Sequence, residues 1–555
     1  MNPLFPTELF GWGMAIPLLG SVLALVVTTT LIVVASDYHR GWKRRKFLGP
    51  IPLMDDESYF SPKLRLWRST FNYLEGFERG YKEYSKKGKP WAVPLPGGTG
   101  DMIVLPPQCG KEYYNLSKDY MSMRHMMGDE INFNHVLDVA WKIPVEAMQA
   151  CNRSSALRKS PLVIRIHVQA TNSPGIPEKL DPLIMKEADY GIARYIGESK
   201  SWREVSVFEA ALDVLGDIGV LLVFHPGFGR EVGLSKKMQQ YVGEVEQMTH
   251  LYAEYPRILA PLIWRFSSEC RQIRSSMKSM KKTILPEVKR LIKEKKESKP
   301  TSDDHFYASS MVELALKKGP LSRTEEGKDD EHHIDMMADE TMFMFFETVE
   351  PSVMILSALI VRLLRHPEYV APIREEIAEA LKANNGEWSF DIFNNTPRFE
   401  SFSRETLRLD GIALVAGSRQ VVGKPLTIHS LGMTFVPGTN ITMSGQFTHL
   451  DPDFYPNPTK FDGNRFYSPG SSQTASEIIR DTISPTERWM VFGIGISACP
   501  ARLLGTRLCQ VVAAKMIMAY DMEFGHDGKL PDFNIYIDAV AAPNPEIKMR
   551  FKRRQ

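Results

Sequence analysis

Cysteine is scarce in this chain: five in 555 residues, at positions 109, 151, 270, 499 and 509. The number is odd and no pair has metal-finger spacing, which argues against a disulfide scaffold and fits a reducing compartment. Net charge is thin as well. Lys and Arg outnumber Asp and Glu by 68 to 66, so the basic excess of a nucleic-acid binder is missing and no nucleic-acid partner is expected. No internal repeat is visible. One segment lacks charge altogether. From Phe10 to Ser36 there is no ionisable side chain, and Ala15 to Ala35 is nearly all apolar. A run of about 20 such residues crosses about 30 Å of hydrocarbon as a helix.

That run is not built like a cleaved signal peptide, which has a shorter apolar core behind a basic start. Here the start carries Glu8, and the basic cluster Arg40, Lys43, Arg44, Arg45 and Lys46 follows the run. The positive-inside rule then places everything after it in the cytosol. No later stretch is as long and uncharged. The expected organisation is a membrane anchor over 1–36 with its span at about 12–35. A basic and proline hinge follows over 37–55, where Pro50 and Pro52 break the helix, and then the body over 56–555. The sequons at Asn115, Asn152, Asn394 and Asn440 would face the cytosol and carry no glycan.

What is present is a globular composition, 43% apolar and 24% charged. "DMIVLPP" at 101–107 reads as a strand stopped by prolines. From about 201 to 296 the pattern is mostly helical and closes in the solvated run "KEKKESKPTSDD". Residues 335–365 predict one long helix with Pro351 in its middle. "HPEYVAPIREEIAEALKANNG" predicts another, stopped at Gly386. Short strands are expected over 414–442, and "SPGSSQTASE" at 468–477 reads as a polar loop. The balance is mainly α with a smaller β portion.

The chemistry concentrates in "RWMVFGIGISACPARLLG", residues 488–505. A thiolate serving as the sole protein ligand of a metal needs an apolar site and backbone amides aimed at sulfur. Gly493 and Gly495 let the backbone approach, Phe492 can pack on the sulfur side of a flat cofactor, and Pro500 shapes the turn into the next helix. Read alone, the loop accommodates an inert buried thiol equally well. Two distant features favour the ligand. "ETLR" puts Glu405 and Arg408 on one helical face. "FDGNRF" supplies Arg465 in a loop rich in proline and aromatics, after "THLDPDFYPNPTKF".

This order of elements resembles the cytochrome P450 family of haem-thiolate monooxygenases over nearly the whole chain. "IVLPP", "ETLRLDG" and "ACP" look closest to the fungal branch that contains ent-kaurene oxidases and natural-product enzymes. The resemblance implies a cytochrome P450 fold whose body, 56–555, is the haem-thiolate catalytic domain. It implies haem b with Cys499 as axial ligand, and a cofactor pocket that includes Phe492, Gly495 and Arg419, the arginine facing a propionate. Glu405, Arg408 and Arg465 are implied as a structural triad, and Cys509 reads as a core residue. It further implies dioxygen, electrons from NADPH through NADPH-cytochrome P450 reductase, and a hydrophobic substrate such as a terpenoid, polyketide or indole alkaloid. The expected setting is a monomer anchored in the endoplasmic reticulum membrane by a single pass. Arg502, Arg507 and Lys515 would offer the reductase positive charge.

The chain departs from the family pattern in two places. Two residues before the ligand the family carries Arg or His, and here stands Ser497; Ala501 replaces a glycine. In the central helix "ETVEPSV" places Glu347 and Thr348 at the small pair, Glu350 at the acid and Pro351 at the threonine that helps deliver protons. Glu350 and Ser352 are the nearest replacement proton carriers, or else plain helix-surface residues. Glu347 could pair with a basic nitrogen of a substrate or point away. Phe343, Phe345 and Phe346 fit core packing better than a substrate box. The leading reading is a monooxygenase or oxidase of fungal secondary metabolism. Oxidative coupling, ring formation and reductase-independent isomerisation or dehydration stay open, as does a non-catalytic haem-binding protein.

Overall fold

The computed structural model describes residues 12–54, 72–94, 101–114, 180–224, 226–231, 233–254, 260–297, 328–495, 498–499, 501–525, 531–537 and 539–555, with a few isolated positions between. Among these, the helices of eight or more residues are α1 (Trp12–Leu48), α2 (Tyr73–Glu83), α3 (Asp181–Tyr195), α4 (Val207–Val223), α5 (Leu234–Glu254), α6 (Ser268–Lys296), α7 (Lys328–Arg365), α8 (Val370–Ala383), α9 (Pro397–Leu409), α10 (Ala475–Thr482) and α11 (Arg502–Ala519). The main sheet has five strands: β1 (Trp91–Pro94), β2 (Asp101–Leu105), β3 (Met121–Ser122), β5 (Val415–Val421) and β8 (Asn440–Ser444). Its order is β1-β2-β8-β5-β3, and β2 runs parallel to β8 while the other pairs are antiparallel. A second sheet joins β4 (Arg203–Ser206), β12 (Lys548–Arg553) and β9 (Tyr520–Phe524). Two further strand pairs are β6 (Leu426–Ile428) with β7 (Met433–Phe435), and β10 (Asn534–Ile537) with β11 (Val540–Pro543).

The main core is helical. α7 runs through it against α4, α6 and α11. Gly219 of α4 lets the two backbones close up, because a Cβ there would overlap Val349. Phe345 is fully buried on that face, so the core reading of this aromatic holds. Residues 337–365 of α7 are long and apolar enough to cross a membrane, but most of that helix is covered by its neighbours. It is the buried axis of the body.

α1 differs. Val26, Leu31 and Ile32 are 55%, 64% and 63% exposed, an uncovered apolar stretch near the N-terminus. The helix does not stop at the basic cluster. It runs on to Leu48, since nothing from Asp37 to Phe47 breaks it, and ends where Gly49 takes φ +55°. The proline segment is tied down. The Ala92 N–H donates to the Pro52 carbonyl at 2.8 Å, and Met54 N–H to the Ala92 carbonyl at 2.8 Å. Residues 52–54 thus extend the sheet beside β1, and the turn at Gly49 is all that separates helix from body. The polar run 468–477 also ends earlier than expected. Thr474 and Glu477 form a reciprocal capping box that opens α10.

Candidate functional site: a thiolate loop held by a buried ion triad

The cysteine loop is shaped by its glycines. Gly493 and Gly495 have φ +70° and +68°, in the left-handed region. A Cβ on Gly495 would overlap the Tyr114 carbonyl, so close approach adds to conformation. We expect Gly495→Ala to lower the thermal midpoint by several degrees and to cut haem retention, measured by haem-to-protein ratio after gel filtration. The Cys499 N–H donates to the Phe492 carbonyl at 2.8 Å, Ala498 N–H to the Gly495 carbonyl at 3.1 Å, and Gly493 N–H to the Met490 carbonyl at 3.0 Å. These bonds fold the chain back so that Cys499 stands at the mouth of α11, half-buried. Burial pushes its thiol up, and the charge of Glu347 adds to this. The Ala501 N–H and the Arg502 guanidinium oppose it. Ile496, Ser497 and Pro500 lie outside the described residues.

Behind the loop the expected triad assembles. Arg408 grips Glu405 with both arms of its fork, Nε to Oε2 at 2.7 Å and Nη2 to Oε1 at 2.8 Å, and both side chains have no exposure. Arg465 adds Nε to Glu405 Oε2 at 2.9 Å. It also donates to the carbonyls of Pro456 at 2.7 Å, Lys460 at 3.0 Å and Asn457 at 3.3 Å. One carboxylate thus pins α9 to the loop after β8.

No motif signals what joins this triad to the cysteine loop. Arg408 Nη1 donates to the His449 carbonyl at 2.6 Å, and the His449 ring accepts the Met490 N–H on Nε2 at 2.9 Å. Burial, with the nearby Arg408 charge, holds His449 neutral by pulling it down to about 3. A neutral ring that accepts on Nε2 carries its proton on Nδ1. The path therefore runs Glu405, Arg408, His449, Met490, and then Phe492 to Cys499. A second tie was also unforeseen: Arg507 of α11 pairs with Glu400 of α9 inside the core, with Gln510 bonded to both.

Those pairings overturn the expected docking patch. Arg502, Arg507 and Lys515 are all buried. Arg502 donates to the carbonyls of Ile483 and Cys499, and Lys515 reaches Asp189 at 2.7 Å. A charge so committed cannot greet a partner. Cys509 behaves as expected for a core thiol: it is buried, pushed well up by burial, and donates to the Ser352 carbonyl at 3.3 Å.

Arg419 sits on β5, where the register against β8 shifts between Ala416 and Arg419, a bulge that re-aims the side chain. It is 3% exposed and lies 5.8 Å from the Tyr113 ring centre. Among the described residues no carboxylate pairs with it. A buried guanidinium in that state is suited to an anionic group of a bound cofactor.

On α7, the helical period sorts the residues. Phe345, Val349 and Ser352 lie on the buried side. Phe343, Met344, Glu347, Pro351 and Met354 share the other side, and all are half-buried. The Glu347 charge acts on the Cys499 thiol, which puts this carboxylate in the neighbourhood of the cysteine loop. Glu350 is half-buried beside the stripe, about 60° around the helix from Glu347. Ser352 is not in the stripe. Its hydroxyl donates back to the Thr348 carbonyl at 2.7 Å, and this, with its place on the buried face, withdraws it as a proton carrier.

A half-buried cysteine on a glycine-shaped loop and a buried arginine with no carboxylate partner among the described residues fit a haem-thiolate enzyme. Among the described residues no cluster of His, Cys, Asp and Glu could hold a metal by itself. One cysteine plus a dianionic macrocycle fits these residues, with Cys499 for the iron and Arg419 for a propionate. Comparison with known proteins agrees. The family model "Cytochrome P450" matches residues 168–551, and the chain belongs to that family. It is 38% identical to cytochrome P450 monooxygenase cpsD of Aspergillus campestris, over 100% of this chain and 97% of the relative. It is 30% identical to cytochrome P450 monooxygenase afvE of Aspergillus flavus, over 88% and 97%. It is 29% identical to bicoumarin synthase ktnC of Aspergillus niger, over 76% and 96%. The chain is an oxidoreductase of the fungal natural-product branch, a haem monooxygenase by class.

Proposed function

We propose that this enzyme joins two electron-rich aromatic molecules by oxidative coupling, rather than inserting oxygen into one. The observation that carries the reading is the half-buried side of α7 around Pro351. Proline stands where the family keeps its threonine hydroxyl, and the neighbouring serine is turned away. Likeness to a bicoumarin synthase supports it. Haem, when bound, supplies one-electron oxidation with dioxygen as the acceptor. Two aromatic C–H bonds are lost and one ring–ring bond forms. Dioxygen takes up two electrons from NADPH, two protons from solvent and the two hydrogens removed from the substrates (two further electrons and two further protons), and leaves as two waters.

The chain's own part is binding and positioning. Phe343, Met344, Pro351 and Met354 give an apolar wall against which flat substrates pack. Glu350, half-buried beside that wall, and Glu347 within it are the proton-carrying side chains of this part of the helix. Electrons come through NADPH-cytochrome P450 reductase. α1 anchors a monomeric enzyme in the endoplasmic reticulum membrane with the body in the cytosol, a reading supported by the exposed apolar stretch at 26–32 and the basic run after it.

The test is expression with a reductase under labelled dioxygen, with mass spectrometry of products from hydroxylated aromatic scaffolds. Coupling gives twice the substrate mass less two hydrogens and no label. A labelled product one oxygen heavier returns the enzyme to hydroxylation. Pro351→Thr restores a hydroxyl on the stripe. We expect it to raise severalfold the fraction of NADPH consumption that ends in product, and an unchanged ratio removes the proton-delivery argument.

A further inference from the structure

His449 uses its two ends for two different structures. Its backbone carbonyl belongs to the triad, accepting from Arg408 Nη1, while its ring belongs to the cysteine loop, accepting the Met490 N–H on Nε2. Met490 is the base of that loop. Just before it the chain closes a tight pair, the Thr486 N–H donating to the Trp489 carbonyl at 2.9 Å and the Trp489 N–H to the Thr486 carbonyl at 3.1 Å. Just after it the Met490 carbonyl takes the Gly493 N–H, and the Phe492 carbonyl takes the Cys499 N–H. Between the pair and the turn, the imidazole is what fixes the Met490 N–H. The Tyr114 hydroxyl adds a weak contact to the Met490 sulfur at 3.8 Å. The ring is held there at a cost. His449 is buried, and its Nδ1 meets no hydrogen-bond partner among the described residues. A leucine would fill the space without an orphaned nitrogen, but it would strand the buried Met490 N–H. What the histidine contributes is therefore its acceptor.

We infer that His449 is a positioning residue for the iron ligand: its Nε2, by holding the Met490 N–H, fixes the base of the cysteine loop and with it the place of the Cys499 sulfur. The inference rests on Cys499 as the ligand and is independent of whether the enzyme couples or hydroxylates. A change of side chain separates this role from the triad, because Arg408 holds the backbone carbonyl at 449, which every substitution keeps. With the acceptor gone, the base of the loop is free to slide. The Phe492 carbonyl then moves off the Cys499 N–H, and the sulfur is no longer held where a thiolate is wanted.

The test compares His449→Leu with His449→Gln in the full chain. Glutamine carries an acceptor oxygen at a reach similar to Nε2, and leucine carries none. In the haem-loaded protein, the reduced carbon monoxide spectrum is divided, per haem, between the thiolate-type band and the blue-shifted band of a lost thiolate. In the apoprotein, alkylation of Cys499 is timed by peptide mass spectrometry, with the buried Cys109, Cys270 and Cys509 as internal controls. Leucine is expected to move most of the haem into the blue-shifted band. It should also speed Cys499 alkylation about fivefold, the scale of one lost buried hydrogen bond, with the controls unchanged. Glutamine is expected to keep the thiolate-type band and an alkylation rate within about twofold of wild type. A residue that merely fills space would lower the thermal midpoint and haem content of the leucine variant, yet leave the band of the retained haem and the alkylation rate as in wild type. That result overturns the inference. So does a glutamine variant that behaves like leucine, since the acceptor would then not be what matters. Should leucine fail to fold, His449→Asn, polar but too short to reach Met490, is expected to show part of both changes, and an asparagine variant equal to wild type in both also overturns it. Failure of the ligand assignment itself looks different: Cys499→Ala would then keep the thiolate-type band with His449 in place.

Discussion

Arg408→Leu is expected to leave little folded holoprotein, with no thiolate-type band in the reduced carbon monoxide spectrum of what remains. Arg408 is a completely buried cation that satisfies a completely buried anion. Removing it leaves the buried Glu405 carboxylate with Arg465 and the Asp462 N–H alone, and breaking a buried ion pair costs about 3–5 kcal/mol. That is comparable to the lower end of a domain's whole stability, about 5–15 kcal/mol. The loss is not only electrostatic. The same guanidinium holds the His449 carbonyl at 2.6 Å, and His449 in turn holds the Met490 N–H at the start of the cysteine loop. Arg408→Lys keeps the charge but cannot make two parallel bonds to Glu405 and a third to His449. It should fall between wild type and Leu in both thermal midpoint and haem content. A lysine variant equal to wild type would show that charge alone is needed and that the three-armed geometry is incidental.

The triad also shows what can be read from sequence. Glu405 and Arg408 are three apart on a helix, a spacing that puts them together whatever else happens. Arg465 is 60 residues from Glu405, and only its likeness to a family motif identified it. His449 had no such signal. A single histidine in "THLDP" has no spacing to exploit, and its bond to Met490 spans 41 residues that only the fold brings together. The misread charges of α11 are more instructive. "ARLLGTRLCQVVAAKM" is apolar nearly all round, which marks a helix covered on all sides. Arg502, Arg507 and Lys515 in such a helix had to be paired with something. Their partners, among them Glu400 at a separation of 107 and Asp189 at 326, were beyond any local pattern. The same logic explains α1. Charge does not end a helix: the basic residues continue it, and it stops at Gly49, just before the Pro50 expected to break it.

Cys499→Ala should abolish the thiolate-type carbon monoxide band and all turnover while leaving the apo fold nearly as stable as before. The two halves of that expectation come from different atoms. The loop is shaped by backbone: Cys499 N–H to the Phe492 carbonyl, Arg502 to the Cys499 carbonyl at 2.7 Å, and the left-handed glycines. None of these uses the sulfur, and the side chain is only half-buried. Truncating it should move stability by about 1 kcal/mol or less in the apo protein. Cys509→Ala is the reciprocal control. That thiol is fully buried between α7 and α11 and donates to the Ser352 carbonyl, so its loss leaves a small cavity and removes one supplementary bond. It should cost about 1–3 kcal/mol and spare the spectral band. Two cysteines ten residues apart thus separate ligand from scaffold, one read by spectrum and the other by denaturation. If Cys509→Ala lost the band while Cys499→Ala kept it, the iron ligand would have been assigned to the wrong turn of the chain.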